Sequence, residues 1–158
     1  MTAKQMAQAE LVALQQIVDV VKDADTEALE KEIAQAKRIF VGGAGRSLLS
    51  MKGFAMRLMQ TGHETYLVGE VCTPSVQPGD LLIVGSGSGE TKVTLDVVNK
   101  AKGHGARVAV LTMHGNSPIA QACDCAVVLA GIPAVSPEDT EASIFAKKNL
   151  SGNFFEAS

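Results

Sequence analysis

Two glycine-rich stretches carry the residue types that hold an anion with neutral donors. Gly85-Ser86-Gly87-Ser88-Gly89-Glu90-Thr91 follows the apolar run Leu81-Leu82-Ile83-Val84 and precedes Val93-Thr94-Leu95-Asp96-Val97-Val98. A buried strand breaking into a helix has that pattern. Three glycines let the backbone curl closely around a ligand, and two serines and a threonine supply hydroxyl donors. The following helix adds unpaired N–H groups and the positive end of its dipole. A second stretch, Gly42-Gly43-Ala44-Gly45-Arg46-Ser47, ends another apolar strand. There Arg46 offers a guanidinium suited to pair with a phosphate or, as surface arginines equally commonly do, with a carboxylate, and the sequence places Ser47 as a helix cap.

Nucleotide chemistry fits neither stretch. Around Gly43, Leu48 occupies the place where a dinucleotide fingerprint needs its third glycine, and Gly69 precedes Glu70 where an acid should end the second strand directly. In Ser86–Lys92 the lysine follows Glu90 and Thr91, so the Gly-Lys-Ser/Thr order of a nucleoside triphosphate loop is missing. The structural alternative for this segment is a flexible serine-glycine turn, which rarely sits between two strongly apolar elements of a parallel sheet. The histidines His63, His104 and His114 are scattered, and Asp124 between Cys123 and Cys125 reads as a strand entry, so no metal site is expected.

These loops need a scaffold, and the rest of the chain reads as one. Apolar residues at helical spacing (Met6, Ala9, Leu11, Leu14, Ile17, Val18, Val21) predict a helix over 2 to 22, and a second is expected from Thr26, as its cap, to Gln35. Strands follow at Ile39 to Val41, Glu64 to Val68, Leu81 to Val84, Arg107 to Leu111 and Ala126 to Leu129, with helices at Ser47 to Gln60, Glu90 to Lys102 and Ser117 to Ala122. Near-continuous apolar strands alternating with helices predict an α/β fold, a doubly wound five-stranded parallel sheet covered on both faces. Residues 70 to 79 hold two prolines and read as a loop. The proline- and acid-rich residues 131 to 141 read as another, of a kind that closes over a site. Asn153 to Ala157 reads as the first turn of a helix that such a fold would continue, giving a single domain over 1 to 158 behind an N-terminal helical segment 1 to 36.

Composition narrows the partners. The 158 residues are 46% apolar and 20% charged, with a net charge of -3 and a pI near 5.6, so a basic nucleic-acid-binding face is not expected. Aromatic residues make up only 4%, too few for base-stacking platforms. No run approaches the roughly 18 apolar residues of a membrane helix. Three cysteines without CxxC spacing predict a reducing, cytoplasmic setting.

Gly43-Ala44-Gly45-Arg46-Ser47, Phe54-Ala55-Met56-Arg57-Leu58-Met59, Val68-Gly69-Glu70 and Gly85–Thr91 together resemble the sugar isomerase (SIS) domain family. They are most similar to its branch that isomerises D-arabino-hex-3-ulose 6-phosphate to fructose 6-phosphate in the ribulose monophosphate route of formaldehyde fixation. The resemblance implies a phosphorylated sugar as substrate, no metal or redox cofactor, and a homo-oligomer, a tetramer. It assigns substrate contacts to Arg46, Ser47, Ser86, Gly87, Ser88, Gly89, Glu90 and Thr91. The family's catalytic glutamate falls on Glu156 in Asn149-Leu150-Ser151-Gly152-Asn153-Phe154-Phe155-Glu156. Two positions depart from the family pattern: Leu48 replaces a glycine, and Gln60 stands where relatives commonly carry histidine. A non-catalytic sugar-phosphate-binding module, and an isomerase of another ketose or aldose phosphate, are the alternative readings.

Overall fold

The computed structural model describes residues 2–129, 137–138, 140–142 and 144. The expected helical turn at Asn153 to Ala157, Glu156 and most of the loop expected over 131 to 141 lie outside those residues. In chain order the elements are α1 (Ala3–Val18), α2 (Asp23–Gln35), β1 (Ile39–Gly43), α3 (Gly45–Gln60), β2 (Thr65–Leu67), β3 (Leu81–Gly85), α4 (Lys92–Gly103), β4 (Arg107–Thr112), α5 (Pro118–Ala122) and β5 (Cys125–Val128).

Five strands form one sheet in the order β2-β1-β3-β4-β5, all parallel. Side chains on a strand alternate between faces, and two separate cores result. Ile39, Val41, Leu81, Ile83, Ala109, Cys125 and Val127 pack with Leu29 of α2 and with Met51, Ala55 and Leu58 of α3. On the other face Phe40, Leu82, Val84, Val108 and Val110 pack with Val98 and Ala101 of α4 and with Ile119 and Ala120 of α5. The inner strands are apolar throughout because both of their faces are covered. The β2–β3 crossover is made by an irregular segment where most such folds use a helix. An open groove of about 250 Å³ is left between that segment and α4, with Phe40, Val68 and Leu82 among its lining residues.

At the N-terminal ends of the strands, charge pairs tie distant segments together. The carboxylate of Asp80, 1% exposed, accepts from Arg38 Nε (3.0 Å) and Nη2 (2.5 Å) and from the Gln77 N–H (2.7 Å). Arg107 pairs with Glu32 of α2, and Asp124 accepts from Lys102 (3.2 Å) and the Val108 N–H (2.8 Å). Burial opposes the charge on Asp124, but the Val108 N–H, Lys102 and Arg107 outweigh it and hold its carboxyl below the usual range. Burial, with Asp124 alongside, pushes the neighbouring Cys123 thiol up to about 12.

One expected helix start is corrected. Lys22 in extended conformation, rather than Thr26, precedes α2, and Thr26 lies inside the first turn, donating its hydroxyl to the Asp23 carbonyl (2.8 Å). Asp23 and Asp25 complement the positive helix end there and replace a side-chain cap. α1 is closed by a capping box between Thr2 and Gln5, and it holds only a small apolar cluster of its own, Ala9, Ala13 and Leu14. Leu11 and Val18 on it stay 66% and 63% exposed.

Asp80→Ala would leave the Arg38 guanidinium and the Gln77 N–H without their shared acceptor, and is expected to cost about 3 kcal/mol of stability. Urea unfolding measures this, and an unchanged midpoint would show that the pair does not hold β1 to β3.

Candidate functional site

β1 and β3 are neighbours at the sheet centre, where the strand order reverses: β1 leads through α3 to β2 on one side, and β3 through α4 to β4 on the other. Open parallel sheets bind ligands beyond the carboxyl ends of their strands at such a point. Gly43 and Gly85 pair in register as the last residues of the two strands. A Cβ on Gly43 would stand 3.0 Å from the Gly85 carbonyl oxygen, so the two backbones approach without side chains between them.

β1 turns almost directly into α3, whereas β3 reaches α4 through the Ser86–Thr91 loop. Ala44 is extended (φ -135°, ψ 155°) and precedes α3, and Gly45 turns the chain with φ 53°. Neither α3 nor α4 has a side-chain cap or an acid in its first turn, whereas α1 and α5 are capped by Thr2 and Ser117. The N–H groups of Gly45, Arg46 and Ser47, and of Lys92, Val93 and Thr94, therefore have no acceptor within their own helices. Two uncapped positive helix ends follow the two strands that pair at this seam, which is a geometry for an anion.

The structure brings the expected binding residues into this region. Ser47 is 9% exposed, and its Cβ lies 3.8 Å from the Cβ position of Gly85. It is not the cap expected from the sequence: it sits within the first turn of α3, because the extended residue that opens the helix is Ala44. Arg46 beside it is half-buried. In the second loop Ser86, Gly87 and Gly89 are buried, Ser88 and Thr91 half-buried and Glu90 exposed. The Ser86 and Thr91 hydroxyls meet at 3.4 Å across the loop, and the Glu90 N–H donates to Ser88 Oγ (3.3 Å).

Residues of β4, of α5 and of their connection, which the sequence did not single out as site residues, hold this loop. The Ser86 N–H donates to the Leu111 carbonyl (3.0 Å). The Gly87 carbonyl accepts from the Met113 N–H (3.1 Å) and from Thr112 Oγ1 (3.2 Å), and the Gly89 carbonyl accepts from the Ile119 N–H (3.0 Å). Ser117 presses against Gly89, whose φ is 67°. The available signals were a threonine ending an apolar strand and a Ser-Pro pair opening a helix, both of which read as ordinary structure. Gln60, the departure from the family pattern, accepts from Arg57 Nη1 (3.0 Å) on an exposed part of α3. Among the described residues, no three His, Cys, Asp or Glu side chains group as a metal site, and no helix is long and apolar enough to cross a membrane.

Comparison with known proteins gives concordant matches. The SIS domain model matches residues 32–146. A 3-hexulose-6-phosphate isomerase from Methylomonas aminofaciens is 51% identical over 96 residues, which cover 61% of this chain and 53% of that protein. One from Bacillus subtilis is 38% identical over 136 residues, covering 86% of this chain and 71% of the relative. The chain thus spans about half the length of the first relative. A solved structure from Methanococcus jannaschii, inferred to be a 3-hexulose-6-phosphate isomerase, superposes with a TM-score of 0.69 at 29% identity. That match covers 95% of this chain and 87% of the other.

Gly89→Ala is expected to destabilise the protein by about 1–3 kcal/mol, through its left-handed backbone and overpacking. A Cβ there would lie 1.9 Å from Ser117 Oγ and 2.4 Å from Ser117 Cβ. Gly85→Ala should cost less, because its Cβ would crowd the flexible Met51 side chain, with Cγ at 2.7 Å, and meet Ser47 Cβ at an ordinary 3.8 Å. Chemical denaturation of both variants decides the order, and a larger loss at Gly85 would show that Ser117 does not confine the loop.

Proposed function

Because the chain belongs to the SIS domain family, we propose that it is a phosphosugar isomerase converting D-arabino-hex-3-ulose 6-phosphate to fructose 6-phosphate, within the ribulose monophosphate route of formaldehyde assimilation. The observation that carries this reading is that two uncapped helix starts follow the strands paired at the Gly43–Gly85 seam. Similarity to 3-hexulose-6-phosphate isomerases over most of the described chain supports it. The phosphate is held by the donors of Gly87, Ser88 and Gly89, the hydroxyls of Ser47, Ser86, Ser88 and Thr91, the first turns of α3 and α4 and the guanidinium of Arg46. Glu90 lies on the same loop and contacts the sugar.

Moving the carbonyl from carbon 3 to carbon 2 requires removal of the carbon 2 proton. The carbon 3 oxygen gains a proton as carbon 2 and carbon 3 come to share an enediol, the carbon 2 hydroxyl then gives one up as the new carbonyl forms, and carbon 3 receives the proton that left carbon 2. One carboxylate over the enediol face performs both carbon transfers, and we assign that role to Glu156 on the strength of the family resemblance. A carboxyl raised above its free value of about 4.3 returns a proton more readily. Fixed N–H donors stabilise charge on the enediol oxygens.

The exposed Leu11 and Val18 of α1 support assembly with further copies, which we take to be a tetramer. The free thiols Cys72, Cys123 and Cys125 support a reducing cytoplasmic setting.

Incubation with D-arabino-hex-3-ulose 6-phosphate should yield fructose 6-phosphate, detected by a coupled dehydrogenase. Glu156→Gln should lower turnover by roughly 100-fold or more while keeping substrate affinity, as expected for loss of general acid–base catalysis. Full turnover by Glu156→Gln would remove that residue from the mechanism. Binding of fructose 6-phosphate without any turnover by the unaltered chain would favour a non-catalytic module. Sedimentation velocity tests the assembly, and a monomer at micromolar concentration would overturn it.

A further inference from the structure

The peptide groups of the Gly85–Thr91 loop have fixed directions, and the residues that fix them lie outside the loop. No peptide bond in the described chain is cis, and in a planar trans peptide the C=O and the following N–H point in opposite directions. Whatever holds the Gly87 carbonyl therefore aims the Ser88 N–H the other way. The Gly87 carbonyl points down onto β4, where it accepts from Thr112 Oγ1 (3.2 Å) and the Met113 N–H (3.1 Å). Among the described residues, no backbone hydrogen bond uses the N–H of Gly87, Ser88 or Gly89. Thr112 is fully buried, and its hydroxyl also accepts the His114 N–H (3.2 Å), which leaves its proton directed at Gly87.

We propose that Thr112 is a positioning residue for anion recognition: its hydroxyl fixes the Gly87–Ser88 peptide so that the loop's N–H groups face the ligand. The proposal rests on the reading of this loop as the phosphate site. Thr112 touches no substrate. A valine there keeps the shape of the side chain but removes the donor to Gly87 and the acceptor for His114. The Gly87 carbonyl then keeps only the hydrogen bond from the Met113 N–H, the peptide can tilt about it, and a donor needed by the phosphate spends part of its time misdirected. The effect falls on binding of the phosphate group and leaves the proton transfers at the sugar carbons alone.

The test compares Thr112→Val, Thr112→Ser and Thr112→Ala with the unaltered chain. Its readouts are steady-state kinetics, competition by inorganic phosphate and thermal melting. For Thr112→Val, KM and the inhibition constant of inorganic phosphate should both rise roughly five- to tenfold, the size of one lost hydrogen bond, with kcat changed less than twofold. Thr112→Ser, which keeps the hydroxyl, should return both constants to within about twofold of the original. If the valine variant does not fold, the serine and alanine variants, close in volume, make the same comparison. A lower melting temperature with unchanged KM and phosphate affinity would reduce Thr112 to a structural residue and overturn the proposal, as would alanine binding phosphate as well as serine. An unaltered chain that neither binds phosphate nor turns over substrate overturns the phosphate-site reading itself. Normal binding by the original and by Thr112→Val overturns only the role of Thr112.

Discussion

The pairing of β1 with β3 governs the rest of the molecule. These two strands run side by side although β2 intervenes between them in sequence. From their shared edge the chain departs in opposite directions, through α3 on one face and α4 on the other. Side chains would fill the space between the two departing turns, and the strands instead finish in Gly43 and Gly85 at backbone contact distance. The crevice, the two helix ends and the two hydroxyl-bearing loops all follow from that seam. The cores below it hold it together: Ile39, Val41, Leu81 and Ile83 toward α2 and α3, Phe40, Leu82 and Val84 toward α4 and α5.

The electrostatics of the site are local. The chain is acidic, with a net charge of -3, so its overall field does not draw in a phosphate. At physiological ionic strength that field is screened beyond about 8 Å, and within that distance the helix ends dominate. Each contributes the equivalent of roughly half a positive charge, so two of them offset much of the about -1.5 to -2 carried by a phosphomonoester at neutral pH. In the proposed site, oriented N–H and hydroxyl donors would supply the remainder as short-range hydrogen bonds. A phosphate site so built would discriminate by geometry more than by charge, which suits the proposed recognition of one small ester over other anions.

Much of this was legible in the sequence, for reasons that can be traced to particular residues. Leu81–Val84 and Arg107–Leu111 announce themselves as strands because burial on both faces leaves no polar alternation, and the glycine-serine loop follows the first of them directly. Local rules failed where backbone geometry decided the outcome. Ser47 and Thr26 are good capping residues, yet extended backbone at Ala44 and Lys22 starts each helix earlier and leaves both hydroxyls inside a first turn. Long-range partners left no local trace. Arg38 and Asp80 are separated by 42 positions, and Thr112 and Gly87 by 25, so no periodicity or spacing could join them. Glu156 lies outside the described residues, and its role rests on resemblance alone.

The hydrogen bonds under the glycine-serine loop also carry a consequence for the life of the chain. The proposed anion cradle draws on Gly43, on Gly87 and on Ile119, three points brought together by pairing of the inner strands and docking of α5. During synthesis the loop leaves the ribosome before the segment that supports it, so a nascent chain ending short of α5 has the right residues and no cradle. A ligand therefore has nothing to grip in a partly folded chain and acts only by mass action on the finished one, adding about 2.7 kcal/mol to its stability at a hundred times its dissociation constant. Abundance of the folded protein in the cell would then follow the supply of its own ligand.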